Sequence, residues 1–363
     1  MVDERKVPEG WVVKKLKDLS TMKSGNSITS KKINDYDKIP CYGGNGLRGY
    51  TYDYTHEGEY ALIGRQGALC GNVQFVSGVF FASEHAIVVT PNDETDIKWL
   101  FYMLTDMGLN KYSESSAQPG LSVIKILNLE LVAPADRIEQ KAIAEALSDT
   151  DNLILSLEKL IDKKNKIKQG AMQQLLTGKK RLPGFSGEWE VKRLGEVADI
   201  RTGKRNNQDK VSDGLYPFFV RSQDVERINT YSYDGEAVLV PGEGGIGNIF
   251  HYINGKFEVH QRVYKISDFL NVSGKYVYYY MKQSFGAHAM KNTVKATVDS
   301  LRLPTFQEFE LKIPNNLEEQ KAIAQVLSDM DAEIEALEEK LKKVKTIKQG
   351  MMQELLTGRI RLI

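Results

Sequence analysis

The chain has 363 residues, enough for two or three domains of ordinary size, and 41% of them are hydrophobic, so each part can bury a core. A net charge of +1 argues against a protein that holds nucleic acid by phosphate neutralisation alone. Two cysteines, Cys41 and Cys70, are too few for a disulfide framework or a zinc site. No apolar run approaches the ~20 residues of a membrane span and no apolar stretch of signal type follows Met1, so a cytoplasmic protein is expected.

In chain order, "GWVVKKLKDLSTMKSG" (residues 10–25) comes first. Short β-rich runs follow, punctuated by Gly and Asn turns. Among them "GEYALIGRQGALCGNVQF" reads as an acidic turn, a strand, a glycine-rich loop, Gly-Asn and a second strand. "IKWLFYML" (97–104) reads as a short helix, and "LELVAP" (129–134) precedes a change of period. From there Ile143, Leu147, Ile154, Leu157 and Ile161 step by fours and threes, the a/d seam of a coiled coil, with Thr150 at one seam position. Lys163, Lys164, Lys166 and Lys168 weaken the seam, which resumes at Leu175 and Leu176. Gly178 suits a helix C-cap, and Gly170 is a place where the helix could kink.

The same order then recurs roughly 180 residues later. "EWEVKRLGEVADIRTG" (188–203) matches the opening stretch, with Trp11 on Trp189, Val13 on Val191, Leu16 on Leu194 and Gly25 on Gly203. "GEAVLVPGEGGIGNIFHY" keeps the outline of the first glycine-rich segment, and "GKYVYYYMK" (274–282) reads as the matching short helix. "FELKIP" (309–314) precedes a second seam at Ile323, Leu327, Met330, Ile334, Leu337, Leu341 and Val344. Residues 139–182 align without gaps to 319–362, and 26 of these 44 positions are identical, whereas the interiors have drifted far apart. Gly350 and Gly358 repeat Gly170 and Gly178.

The expected fold is therefore α+β. Two globular, mixed but β-rich domains (1–135 and 183–316) alternate with two long helical regions (136–182 and 317–363). The helices are expected to zip together antiparallel as a coiled-coil spacer. The sequence breaks at equivalent points of the repeat, as a circle cut at one joint would, so a pseudo-two-fold circular arrangement is expected.

Apparent catalytic motifs fail on inspection. "GEGGIG" (242–247) matches a dinucleotide fingerprint, but "NIFHYINGKFEVH" follows it, which reads as a strand, an Asn-Gly turn and a strand rather than the required helix. There is no P-loop and no N-P-P-[YF] tetrapeptide of amino-methyltransferases. The five histidines are scattered; His85 and His260 fall at similar places in the two halves and read as matched structural histidines.

The twin "EQKAIA…LSD.D" and "IKQG.MQ.LLTG" blocks and the W-x-V-K-[KR]-L openings resemble the specificity subunit of type I restriction–modification systems, over essentially the whole chain. The resemblance implies two target recognition domains separated by conserved helical regions. It implies a non-catalytic DNA reader with compact recognition domains and no cofactor of its own. Two modification subunits would bring methyltransferase chemistry and S-adenosylmethionine; restriction subunits, where present, would add Mg- and ATP-dependent translocation and cleavage.

On that reading, double-stranded DNA is met by forked side chains on loops. The candidates in the first domain are Lys23, Asn26, Asn45, Arg48, Arg65, Gln66 and Gln118. In the second they are Lys204, Arg205, Asn206, Arg221, Gln223, Lys291 and Lys295, with the run from Lys204 to Gln208 the strongest by composition. Identities off the seam point to a partner that docks twice: Gln140, Lys141, Gln169 and Gln173, with Gln320, Lys321, Gln349 and Gln353. Lys168 is a further identity of this kind. The rival from another class is a coiled-coil adaptor with two β-rich ligand-binding domains.

Overall fold

The computed structural model describes residues 7–67, 69–113, 120–245, 247–292 and 300–362. The chain divides into two compact units, residues 1–158 with 340–363 and residues 159–339, so each unit takes one end of each long helix.

The first unit holds β1 (Trp11–Lys15), α1 (Leu16–Leu19), β2 (Ser20–Ser24), β3 (Ile39–Gly43), β4 (Gly46–Thr51), β5 (His56–Gly64), β6 (Val73–Ala82) and β7 (Ala86–Pro91). It continues with α2 (Ile97–Asp106), α3 (Val123–Leu127) and β8 (Glu130–Pro134), then enters α4 (Arg137–Leu175). Six strands form one sheet in the order β2-β7-β5-β6-β3-β4, antiparallel except where β3 meets β6. β1 pairs separately with β8, Trp11 opposite Pro134. The Asp96 carboxylate accepts the Lys98 and Trp99 amides and starts α2, which lays buried Trp99, Leu100, Met103 and Leu104 into the core.

The second unit repeats this plan. It holds β9 (Trp189–Arg193), α5 (Leu194–Val197), β10 (Asp199–Thr202), β11 (Tyr216–Phe219), β12 (Glu226–Ile228), β13 (Tyr233–Pro241), β14 (His251–Val259) and β15 (Val263–Ser267). Then come α6 (Gly274–Asn292), α7 (Leu303–Gln307), β16 (Glu310–Pro314) and α8 (Leu317–Leu355). Its sheet runs β10-β15-β13-β14-β11-β12, strand for strand the order of the first, and β9 pairs with β16, Trp189 opposite Pro314.

Three expectations change. α6 has 19 residues against 10 in α2, so the two helices match in place but not in length. Asn254-Gly255 is not a turn: it lies inside β14, with Gly255 opposite Gly235 of β13. Gly58 faces Gly78 in the same way across β5 and β6. Both glycines of each pair have positive φ, which a residue without Cβ adopts freely, and burial of Phe257 and Val259 beyond the pair carries β14 onward as a strand. The reversal falls instead in the glycine-rich segment between β13 and β14. The third change concerns the seam. Ile143 and Leu147 join the first unit's core with Trp99, Leu131 and Leu355, and Ile323 and Leu327 join the second's with Tyr276, Leu311 and Leu175. These positions are thus domain core and not a helix–helix seam alone. Farther along, Ile154, Leu157 and Ile334 are buried, while Ile161, Leu337 and Leu341 are half-buried.

Both long helices are unbroken over 39 residues, through the lysine-rich turns and through Gly170 and Gly350. In each unit their ends run antiparallel. In the first, Lys345 meets Glu158 at 2.7 Å, Lys348 meets Asp151 at 2.6 Å and Arg361 meets Glu139. In the second, Lys164 meets Glu333 at 2.6 Å, Lys168 meets Asp331 and Arg181 meets Glu319 at 2.5 Å.

The last pair in each series closes its unit. Glu139 and Glu319 are the third residues of their helices and are 1% exposed. Each carboxylate takes two guanidinium N–H groups, from Arg361 and from Arg181. The same arginines donate to the backbone carbonyls of Glu9 and Gly187. Gly358 and Gly178, just before them, have φ of +70° and +71° and lie against the rings of Trp11 and Trp189, so a side chain there would meet both backbone strain and an indole.

Arg181→Ala leaves Glu319 buried without its cation. The expected cost is about 3 kcal/mol, read as a lower urea midpoint, with most of the loss recovered in R181M/E319Q. An unchanged midpoint in R181A would show that the pair contributes no net stability.

Candidate functional site

The glycine-rich loops leave both sheets in the same way. In the first unit the chain leaves β5 at Gly64. The Arg65 amide donates to the His85 carbonyl at 2.8 Å, and Leu121 donates to the Arg65 carbonyl at 2.9 Å. In the second it leaves β13 at Pro241; Gly242 donates to Arg262 at 2.8 Å and Leu301 donates to Gly242 at 2.8 Å. Gln66 then bridges to Gly120, and Glu243 to Ser300. The strand beside them is held alike, Ser83 donating to Tyr42 at 2.8 Å and His260 to Phe219 at 3.0 Å. Counterparts follow directly: Gln66 and Glu243, His85 and Arg262, Ser83 and His260, Gly44 and Arg221.

His85 and His260 are therefore not counterparts, because they sit two residues apart on the same frame. Their environments differ accordingly. His260 is 3% exposed, its Nδ1 accepts the Arg262 amide at 2.9 Å, and its pKa is lowered, first by burial and then by the Arg221 and Arg262 guanidiniums. It stays neutral. The His85 side chain is 44% exposed and lies 3.4 Å from the Glu84 carboxylate.

Different side chains occupy the matched positions. In the first unit the His85 Nδ1 lies 3.2 Å from the Gln66 Oε1. In the second, Arg262 donates to Glu243 at 2.7 Å and Arg221 reaches its other oxygen at 3.4 Å. Glu243 and Arg221 border a cleft of about 410 Å³ that Asn207, Ser222 and His260 also line.

The remaining DNA candidates are scattered around these loops. In the first unit Lys23 is exposed on β2 and Asn26 is exposed beside Ser83. Asn45 is exposed in the two-residue turn between β3 and β4, and Arg48 is exposed on β4. Arg65 donates to the Ser24 hydroxyl at 3.1 Å. In the second, Arg205 is held by the buried Glu258 at 3.5 Å and by Thr230 at 3.3 Å. The Asn206 side chain accepts the Asn207 amide and caps a short turn, so it is engaged locally. Lys204 borders a second cleft of about 600 Å³ with Tyr233, Lys265 and Asp268. Gln223 is exposed in a bend and Lys291 in the last turn of α6. Gln118 and Lys295 lie outside the described residues.

Two docking candidates are corrected. Gln140 and Gln320 are 2% and 1% exposed, each tying its helix to its own unit. Gln140 accepts the Asp96 amide and donates to the Pro134 carbonyl; Gln320 accepts the Ser273 amide and donates to the Pro314 carbonyl. A buried amide with its hydrogen bonds made inside the unit is unavailable to a partner. Lys168 is likewise turned inward onto Asp331, its side chain 12% exposed. Lys141, Lys321, Gln169, Gln173, Gln349 and Gln353 are exposed.

"GEGGIG" leads from β13 into β14 and not into a helix, so the dinucleotide geometry is absent there. Among the described residues no group of His, Cys, Asp and Glu side chains is placed to hold a metal ion, and no helix is long and apolar enough to cross a membrane. Sequence reasoning missed Glu243 and Arg262. The available signal was the pair of buried strands: laying β15 on β7 in place of histidine on histidine brings Arg262 onto His85.

A family model described as the type I restriction modification DNA specificity domain matches residues 8–169 and again 186–346. The specificity subunit of the type I restriction enzyme EcoprrI from Escherichia coli is 46% identical over 140 residues, 38% of this chain and 34% of that one. The match thus spans about a third of that relative's length. The MjaVIII specificity subunit of Methanocaldococcus jannaschii is 27% identical over 380 residues, 95% of this chain and 86% of that one. The crystal structure of a type I S subunit from M. genitalium has the same fold, with a TM-score of 0.77 at 17% identity, covering 98% of each chain. With one match ending and the next beginning around the junction of the repeat, this chain belongs to the type I restriction–modification specificity family and carries two copies of its DNA specificity domain.

Proposed function

We propose that this chain is the DNA-reading subunit of a type I restriction–modification complex, in which each β-rich domain reads one half of an asymmetric bipartite site. The observation that carries this reading is a repeated frame with unlike loops. Two sheets share strand order and loop anchoring, yet present Gln66 and His85 in one and Glu243 and Arg262 in the other. Two identical readers would not need to differ there; readers of two unlike half-sites would.

On the same reading α4 and α8 set the gap between the half-sites and offer their exposed residues, Lys141, Gln169, Gln173, Lys321, Gln349 and Gln353, to two copies of a modification subunit. Methyl transfer with S-adenosylmethionine, and any Mg- and ATP-dependent cleavage, belong to those partners. The nearly neutral chain leaves much of the phosphate contact to them as well.

Co-expression with a type I modification subunit and mapping of methylated DNA should give a bipartite motif with unlike halves and a fixed gap. A stable complex that leaves no such motif would overturn the reading. Exchange of residues 183–316 for the equivalent domain of another member should change one half of that motif and leave the other intact. Seven residues inserted at equivalent points of both helices preserve the heptad and add about 10 Å of helix, so the gap should lengthen by about three base pairs at ~3.4 Å each. The chain alone should bind DNA weakly, with affinity falling steeply as salt rises. Tight, specific binding by the isolated chain would remove the partners from the account.

A further inference from the structure

We infer that the matched pairs Gln66–His85 and Glu243–Arg262 are the base-discriminating elements of their units, the first for adenine and the second, with Arg221, for guanine. The inference rests on the DNA-reading function proposed above and goes further by assigning residues and bases.

The geometry comes first. Both pairs stand at one position of a shared frame, fixed by the same three backbone hydrogen bonds. A loop position anchored this firmly presents its side chains with little freedom, which readout of a base edge requires. Glu243 is only 22% exposed, while Arg262 and Arg221 are 58% and 51% exposed. The carboxylate therefore sits behind and the two guanidiniums stand forward. Each guanidinium gives one Nη1–H to Glu243 and keeps its remaining N–H donors for another acceptor. Donors in a fixed fork match the O6 and N7 acceptors of guanine.

In the first unit neither matched position carries the Glu–Arg ion pair, and the nearby charge is the Glu84 carboxylate, 3.4 Å from the His85 ring. Arg221 has glycine, Gly44, as its counterpart, and the Glu–Arg pair is replaced by an amide and an imidazole. The His85 Nδ1 lies 3.2 Å from the Gln66 Oε1, a contact that restrains the amide and leaves its nitrogen and one oxygen lone pair unclaimed by His85. A glutamine amide in a set plane pairs with N6 and N7 of adenine. A purely structural account of the two pairs, as pins for the glycine-rich loops, does not require this change of chemistry, because the loops are already held by the backbone hydrogen bonds.

The test uses the chain assembled with its modification subunit. E243Q/R262H and, separately, Q66E/H85R exchange the two chemistries, and the methylated motif is mapped for each. E243Q/R262H should lose discrimination for guanine at one position of one half-site, by about 5- to 150-fold, the range of one bidentate base contact. The other positions should be unchanged. Q66E/H85R should do the same at an adenine in the opposite half-site. The isosteric single variants E243Q and Q66E carry the same expectation where a double exchange fails to assemble. An unchanged motif in assembled variants overturns the assignment. So does methylation that weakens equally at every sequence, which marks a phosphate contact or a scaffold role. The unaltered complex is the control: if it produces no bipartite motif, the function proposed above fails, and this assignment fails with it.

Discussion

A buried carboxylate on the first turn of each long helix, held by an arginine from beyond the end of the other, is the contact on which each unit depends. Glu139 and Glu319 are shielded from water, so they are stable as anions only with a full set of partners. Each has a two-pronged guanidinium and the favourable field of a helix N-terminus. The geometry does more than neutralise charge. Because the same arginine also holds a carbonyl beside the opening strand, one side chain fixes the helix start, the end of the antiparallel helix and the entry to the β-rich domain. A second shared constellation follows about three turns farther along. Tyr102 and Lys348 meet Asp151, and Tyr279 and Lys168 meet Asp331, so each domain touches both helices at a matched carboxylate.

These contacts explain which parts of the repeat stayed alike. Gln140, Asp151, Lys168, Gly178 and Arg181 all have identical counterparts 180 residues on, and each is engaged inside its own unit. In the sequence alone, identity off the seam points to a partner docking twice. For Gln140, Gln320 and Lys168 the explanation is internal: they join domain to helix. The argument for docking now rests on the exposed identities, Lys141, Gln169 and Gln173 with Lys321, Gln349 and Gln353.

Much of the fold was legible because its signals are periodic or duplicated. The heptad steps from Ile143 and from Ile323 gave both helices, and the repeated Trp-to-Gly openings gave β1, α1 and β2 and their counterparts. What could not be read was the local choice between turn and strand at Asn254-Gly255. The dipeptide favours a hairpin, but its neighbours Phe257 and Val259 are wanted in the core, and a facing glycine removes the obstacle to a continuous ladder. The candidate site was half legible for a related reason. Arg221 and Gln66 stand out by side-chain type, whereas Glu243 and Arg262 become visible only when the two strands are laid on each other by their hydrogen bonds. His85 and His260 show how identity of residue type misleads when the frame is offset by two.

The near-neutral charge of the chain fits the same physical picture. A guanidinium that faces an acidic partner contributes less to long-range attraction than a free one, yet keeps its donors in a fixed direction. Glu243 between Arg221 and Arg262, and Glu258 behind Arg205, impose that compromise in the second unit. On the proposed reading the chain would thus give up part of the sequence-independent affinity that bare cations supply and keep the part that distinguishes one base edge from another. A protein acting alone would bind poorly under such terms. One that works inside a larger complex gains from them, because affinity common to all sequences can come from elsewhere, while a weakly attractive reader released from the wrong site is free to test the next.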